Sequence, residues 1–219
     1  MLTVILCIIT FIVGIYAYLF YRPFYFLPII EIVLITIVNE GIVIPYVISN
    51  KHYTSVFYNI FSLLDMAVFS YIFLRIYSNS TIKKYIKWAI VLVYLYTFTE
   101  FFFLKGWKYF HTDSFRFYEI LIIILSLLYL YNLLKREYYI VSIDPVFWLC
   151  CACLVYHSIL IINFTTKADE AYWHLKNAHL AYILLQNIAN TSYYLLLCCM
   201  FISGICYAKW QKKKTSSRK

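Results

Sequence analysis

A chain of 219 residues that is 64% hydrophobic and 13% charged, with a mean hydropathy of +0.76, has too little polar surface to coat a water-soluble globule. Its net charge of +9 comes from Lys and Arg in the links between apolar runs and in the C-terminal tail, which argues against a contiguous nucleic-acid-binding face. Composition therefore points to an all-α integral membrane protein whose main partner is the lipid bilayer.

Seven apolar runs follow in chain order, at residues 2–21, 26–48, 54–77, 81–104, 117–134, 145–164 and 179–208. Most are close to the about 20 residues that cross a hydrocarbon core of about 30 Å. The first has no basic segment before it and no small-residue cleavage site, so it reads as a retained helix and not a signal peptide. Tyr21-Arg22-Pro23 ends it, because proline disfavours helical geometry in the residue before it. In the second run Pro45 deprives the Gly41 carbonyl of its helical hydrogen bond and predicts a kink beside Glu40. Ser80 is the expected cap of the fourth. Asp144-Pro145 opens the sixth, with Asp as N-cap and Pro at the first helical position, where a missing N–H costs nothing. Residues 209–219 are a basic tail suited to anionic lipid or, alternatively, to a docking partner. There is no internal repeat of the kind that builds many transporters.

Alternate links divide the 19 Lys and Arg unequally. Thirteen fall on one side (Arg22, Arg75, Lys83, Lys84, Lys87, Lys135, Arg136, Lys209, Lys212, Lys213, Lys214, Arg218, Lys219) and six on the other (Lys51, Lys105, Lys108, Arg116, Lys167, Lys176). The positive-inside rule then predicts an outside N-terminus and a cytoplasmic C-terminus, which requires an odd number of spans. Trp88, Trp107, Trp148, Trp173 and Trp210 all fall at predicted helix ends, as an interfacial aromatic belt requires.

Ionisable groups within a span cost about 2.5–3.5 kcal/mol each even on the lenient insertion scale, so each one is a candidate functional residue. The candidates are Glu40, Asp65, Glu100, Glu119 and His157. Ser55, Asn59, Ser62 and Asp65 share one face of the third helix, Thr36 and Glu40 one face of the second, and Gln186, Asn190 and Tyr193 continue from His179 on the seventh. All lie in the outer halves of their helices under the predicted orientation. The first run has no ionisable residue and is expected at the periphery. Turned inward, the polar stripes enclose an acidic cavity open to the outside, with no Lys or Arg at equivalent depth, suited to a cation, a proton or a metal ion. If a metal is present, Glu40, Asp65 and His157 are its expected ligands. The competing reading is that the same groups are interhelical glue.

Seven cysteines lie in apolar runs, where a thiol packs as a small hydrophobe. Cys150, Cys151 and Cys153 with Cys198 and Cys199 leave a soft-metal site open as an alternative. No retinal is expected, since residues 179–208 contain no lysine for a Schiff base. A multi-histidine zinc hydrolase is poorly matched, as His157 is the only deep histidine and His174 and His179 lie near a helix end.

The mid-helix acids Glu40 and Asp65, Glu119 opening the fifth helix, and Asp144-Pro145-Val146-Phe147-Trp148 opening the sixth resemble a group of short, functionally uncharacterised seven-helix proteins of Bacteroidota. That resemblance implies a bacterial inner-membrane protein and assigns no chemistry. Three function classes remain from the residues themselves. They are a small-ligand or cation-sensing receptor that signals through a cytoplasmic or membrane partner, a proton or cation transporter or channel, and a membrane-embedded metal-dependent hydrolase.

Overall fold

A computed structural model describes residues 2–49, 54–106, 109, 112–135, 140–168 and 178–216. Helix α1 is Leu2–Phe20. Helix α2 spans 26–49 and has three parts: α-helical Phe26–Val38, a π-helical turn Asn39–Val43, and α-helical Ile44–Ser49. Helix α3 is Thr54–Ile76, and α4 spans 80–104, with α-helical Ser80–Thr99 followed by a π-helical turn Glu100–Leu104. Helix α5 is Thr112–Leu134, α6 is Pro145–Ala168 and α7 is Ala178–Ser216. A 3₁₀ turn, Val141–Ile143, precedes α6. Among the described residues seven helices are long and apolar enough to cross a membrane, which makes the chain a multi-pass membrane protein.

The helices close into a ring in which α7 packs on α6 and α1, α1 on α2, α2 on α3, and α5 on α6. Helix α4 leans on both α3 and α5. Close approach of α7 to α1 and α2 depends on two glycines. A Cβ at Gly14 would stand 2.9 Å from the Phe201 ring, and one at Gly204 would run into the ring of Phe26. The half of the ring nearer the C-terminus is filled by apolar side chains, including Phe26, Phe69, Phe73, Leu149, Cys150, Leu197 and Phe201. Outward faces carry exposed Ile, Leu and aromatic side chains such as Ile12, Leu92, Phe103 and Leu127, which is the surface that lipid covers.

Several ends differ from the hydropathy runs. Helix α5 begins at Thr112, five residues before its apolar run, so Glu119 lies two turns inside the helix and does not open it. Helix α7 continues eight residues past Ala208 through the basic segment. Lys, Gln and Trp are adequate helix formers, so the helix outlasts the apolar run. The cap of α4 is Asn79 and not Ser80, with its side chain accepting from the Thr81 and Ile82 amides at 2.9 and 3.2 Å. Asp144 caps α6 as expected, accepting from the Val146 amide at 2.8 Å, and its other oxygen accepts from Tyr129 at 3.0 Å. Trp148 anchors the same end, its indole N–H donating to the Ser142 carbonyl at 2.8 Å. Trp88 stands just over two turns into α4. Trp107 and Trp173 lie outside the described residues, as do His174, Lys51, Lys108, Lys176, Arg136, Arg218 and Lys219. The structure describes His179 and Lys167 by backbone only.

Helix α1 is the least buried of the seven described spans, in keeping with its lack of charge, but it has a buried inner face. One face is exposed, but Cys7, Thr10 and Ala17 are fully buried. The Thr10 hydroxyl donates to the Leu6 carbonyl at 2.8 Å and lies 3.3 Å from the Tyr194 carbonyl and 3.4 Å from the Cys198 sulfur of α7. All seven cysteines are free. Among the described residues no group of three or more His, Cys, Asp or Glu side chains is placed to hold a metal ion, so neither the cysteines of α6 and α7 nor Glu40, Asp65 and His157 form one.

Candidate functional site

A cavity of about 360 Å³ occupies the end of the ring that holds the N-terminus of α1. Six helices line it: Thr3 from α1, Thr36 and Glu40 from α2, Ser55, Tyr58, Phe61, Ser62 and Asp65 from α3, Tyr118 and Glu119 from α5, Tyr156 and Leu160 from α6, and Tyr182, Gln186, Asn190 and Tyr194 from α7. Of the eight residues singled out in the sequence, Glu40, Asp65, Glu119, Gln186 and Asn190 therefore share one space.

The acids are held in different ways. Glu40 sits in the π-helical turn of α2, where the Ile44 amide bonds the Asn39 carbonyl five residues back. Pro45 explains that geometry. With no N–H to offer and a ring that crowds the carbonyl four residues before it, it favours a widened turn over a continuous α-helix. The Glu40 carboxylate is hydrogen-bonded to Tyr58. Deeper in, Asp65 accepts a hydrogen bond of 2.9 Å from the Tyr118 hydroxyl. Beside it Glu119 pairs closely with Nδ1 of His157, both being almost completely buried. His157 stands behind the cavity wall, ringed by Phe69, Tyr118 and Tyr156 in edge-on contacts at 5.3–5.9 Å between ring centroids.

Glu100 and Asn59 are recruited elsewhere. Glu100 begins the π-helical turn of α4 and is buried, but it accepts from the Ser114 amide at 2.9 Å and pairs with Lys105 at 2.6 Å. Lys105 also meets Asp113 at 2.9 Å, and Asp113 meets Arg116 at 3.0 Å. Partial burial works against the Lys105 ammonium, yet its hydrogen bonds to Asp113 and Glu100 outweigh this and hold its pKa above the ordinary lysine value. This network ties the end of α4 to the start of α5. Asn59 is fully buried and its amide donates to the Tyr109 carbonyl at 2.8 Å.

The sequence pattern missed the tyrosines. The lining face of α3 runs Ser55, Tyr58, Ser62, Asp65, in steps of three, four and three, with Tyr58 in the place given to Asn59. On α7 the lining residue is Tyr194, while Tyr193 stacks on Tyr156 with ring centroids 4.5 Å apart. Asn163, also missed, donates to the Gln186 side chain at 2.8 Å and fixes that amide at the cavity wall. With the geometry established, comparison with known proteins gives no further bearing: no protein family, curated protein or solved structure matches the chain.

The floor of the cavity is apolar. Within about two turns below Asp65, Tyr156 and Tyr194 come Met66 and Phe69 on α3, Cys153 and Leu149 on α6, and Leu197 and Phe201 on α7, all buried. Such a chamber can hold a guest above a mainly apolar floor.

Proposed function

We propose that this protein is a receptor-like membrane protein that binds a small cation in the acidic cavity, which the ligand enters from outside the cell. The observation that carries this reading is the dead end: three carboxylates and five tyrosines line a chamber closed below by packed apolar side chains. Carboxylates supply charge-assisted hydrogen bonds to a cation, and tyrosine rings attract the same ligand through their faces. Among the described residues no Lys or Arg lines the cavity to repel it. A transport pathway would need polar groups that continue as a lined path through the opposite half, where buried Phe, Leu, Ile and Cys predominate and Ser70, Ser126 and Ser203 are dispersed among them. The excess of Lys and Arg in the alternate links supports an outward-facing mouth, and the resemblance noted above supports a bacterial inner membrane. A signal would leave through the cytoplasmic links or the basic end of α7 to a partner.

The test is binding of simple ammonium ions, with matched neutral alcohols and carboxylates, to the full chain in nanodiscs, together with cation flux in proteoliposomes. Ammonium ions should bind while alcohols and carboxylates do not, and Asp65→Asn and Glu40→Gln should each weaken binding at least about tenfold, since a charged hydrogen bond is worth about 1.5–3 kcal/mol. Both variants should still insert. Unchanged binding in both would return the acids to interhelical glue, and sustained flux would favour the transporter.

A further inference from the structure

Of all neighbouring pairs of helices in the ring, α3 and α4 meet least. Near the middle of α4 they are tied by a hydrogen bond between the side chains of Tyr94 and Ser70, and Ser70 is buried there. Toward the cavity end α4 is held to α5 instead, through Glu100 on the Ser114 amide and Lys105 on Asp113. Between α3 and α4 this leaves a lateral groove of about 420 Å³. Leu63 of α3 forms one wall, and residues 91–102 of α4, among them Tyr94, Phe98, Phe101 and Phe102, form the other. The groove lies on a different face of α3 from the acidic cavity, which Ser62 and Asp65 line.

The chemistry of the groove disfavours water. Its side-chain hydroxyls are those of Tyr94 and Thr97, and both are engaged, with Ser70 and with the Val93 carbonyl at 2.8 Å. Space that offers water no polar partner stays dry, and within a span the neighbouring solvent is hydrocarbon. Residues 91–102 rise about 16 Å along α4, close to half of a hydrocarbon core of about 30 Å and so to the depth of one leaflet. Spread over that length, the volume corresponds to a cross-section of roughly 25 Å². A helix of a second chain, about 10–12 Å across, is too wide for such a slot, whereas one alkyl chain, about 4–4.5 Å wide at van der Waals contact, fits it. The cavity end of the groove, at Phe102, is three residues from Lys105, where the polar network joining α4 to α5 begins. We infer that the groove is a binding site for one acyl chain of a membrane phospholipid, whose ester and headgroup lie level with Lys105.

Photolabelling of the full chain tests this, in bilayers containing a phosphatidylcholine with a diazirine midway along one acyl chain, with adducts mapped by peptide mass spectrometry. The expected result is that Leu63 and residues 91–102 carry at least about tenfold more label than Ile5, Ile12 and Leu19, which are exposed and apolar on the lipid face of α1. Leu63→Trp, which fills the groove, should bring the label on α4 down to the level of α1 in a chain that remains helical and monodisperse, and the smaller filling of Leu63→Phe should do so in part. Equal labelling of α1 and α4 in the parent chain would overturn the site, leaving only the lipid that coats any span. Label on α4 undiminished in both folded variants would overturn it too. So would labelling by a diazirine-bearing palmitic acid and not by the phospholipid, or an α4 face shielded from both probes within a dimer.

Discussion

At the scale of single residues, the pair that organises the deep end of the cavity is Glu119 with His157. Each is almost completely buried, so each is tolerable only because the other is there. His157→Leu should cost about 3–5 kcal/mol by leaving the carboxylate buried and unpaired, whereas the double variant His157→Leu/Glu119→Leu should recover most of that loss. Thermal unfolding in detergent measures both; a double variant no more stable than the single one would mean that the pair is not the source of the effect. Glu40, Asp65, Glu119, Gln186 and Asn190 were legible in the sequence because charged and amide groups within apolar runs demand a polar setting. Tyr58, Tyr118, Tyr156, Tyr182 and Tyr194 were not. A phenol suits a core, an interface or a binding site equally, and 24 tyrosines in the chain dilute the signal of any five.

Among whole elements, hydropathy marked the part of each helix that meets lipid, and the helices run beyond those marks wherever capping and propensity allow. Helix α7, at 39 residues, is about 58 Å long, well beyond a hydrocarbon core of about 30 Å. The kink predicted at Pro45 appears as a π-helical turn that carries Glu40, and a second such turn carries Glu100 without any proline. Helix packing was the least legible feature at this scale. Gly204→Leu should push α7 away from Phe26 and α2 at a cost of about 1–3 kcal/mol, since the Phe26 ring that it would meet is itself fully buried and packed. Gly41→Ala should be tolerated, because its Cβ would meet only Val4 at 3.7 Å. Melting temperatures of the two variants compare them directly, and a Gly204→Leu protein as stable as the parent would remove this account of the α2–α7 contact.

For the molecule as a whole, the charge of the links bears on which end of the ring faces out. The asymmetry of Lys and Arg predicts that a fluorescent protein fused after Lys219 fluoresces in bacterial cells and that alkaline phosphatase fused there is inactive. The opposite result would turn the cavity toward the cytoplasm. The sequence by itself determined the number of crossing helices, the likeness of their solvent to lipid, and the presence of costly acids near one end. Those properties are local, set by side-chain transfer energies over about 20 residues. Which acids meet was decided only by the tertiary structure, because the rotation of each helix about its axis depends on packing against its neighbours. Gly14 and Gly204 let α1, α2 and α7 close together, Asn59 turned aside to the Tyr109 carbonyl, and Lys105 with the Ser114 amide drew Glu100 away to join α4 to α5. What remained at the cavity was Glu40 near the mouth, Asp65 and Glu119 near the floor, and Gln186 and Asn190 on the wall of α7.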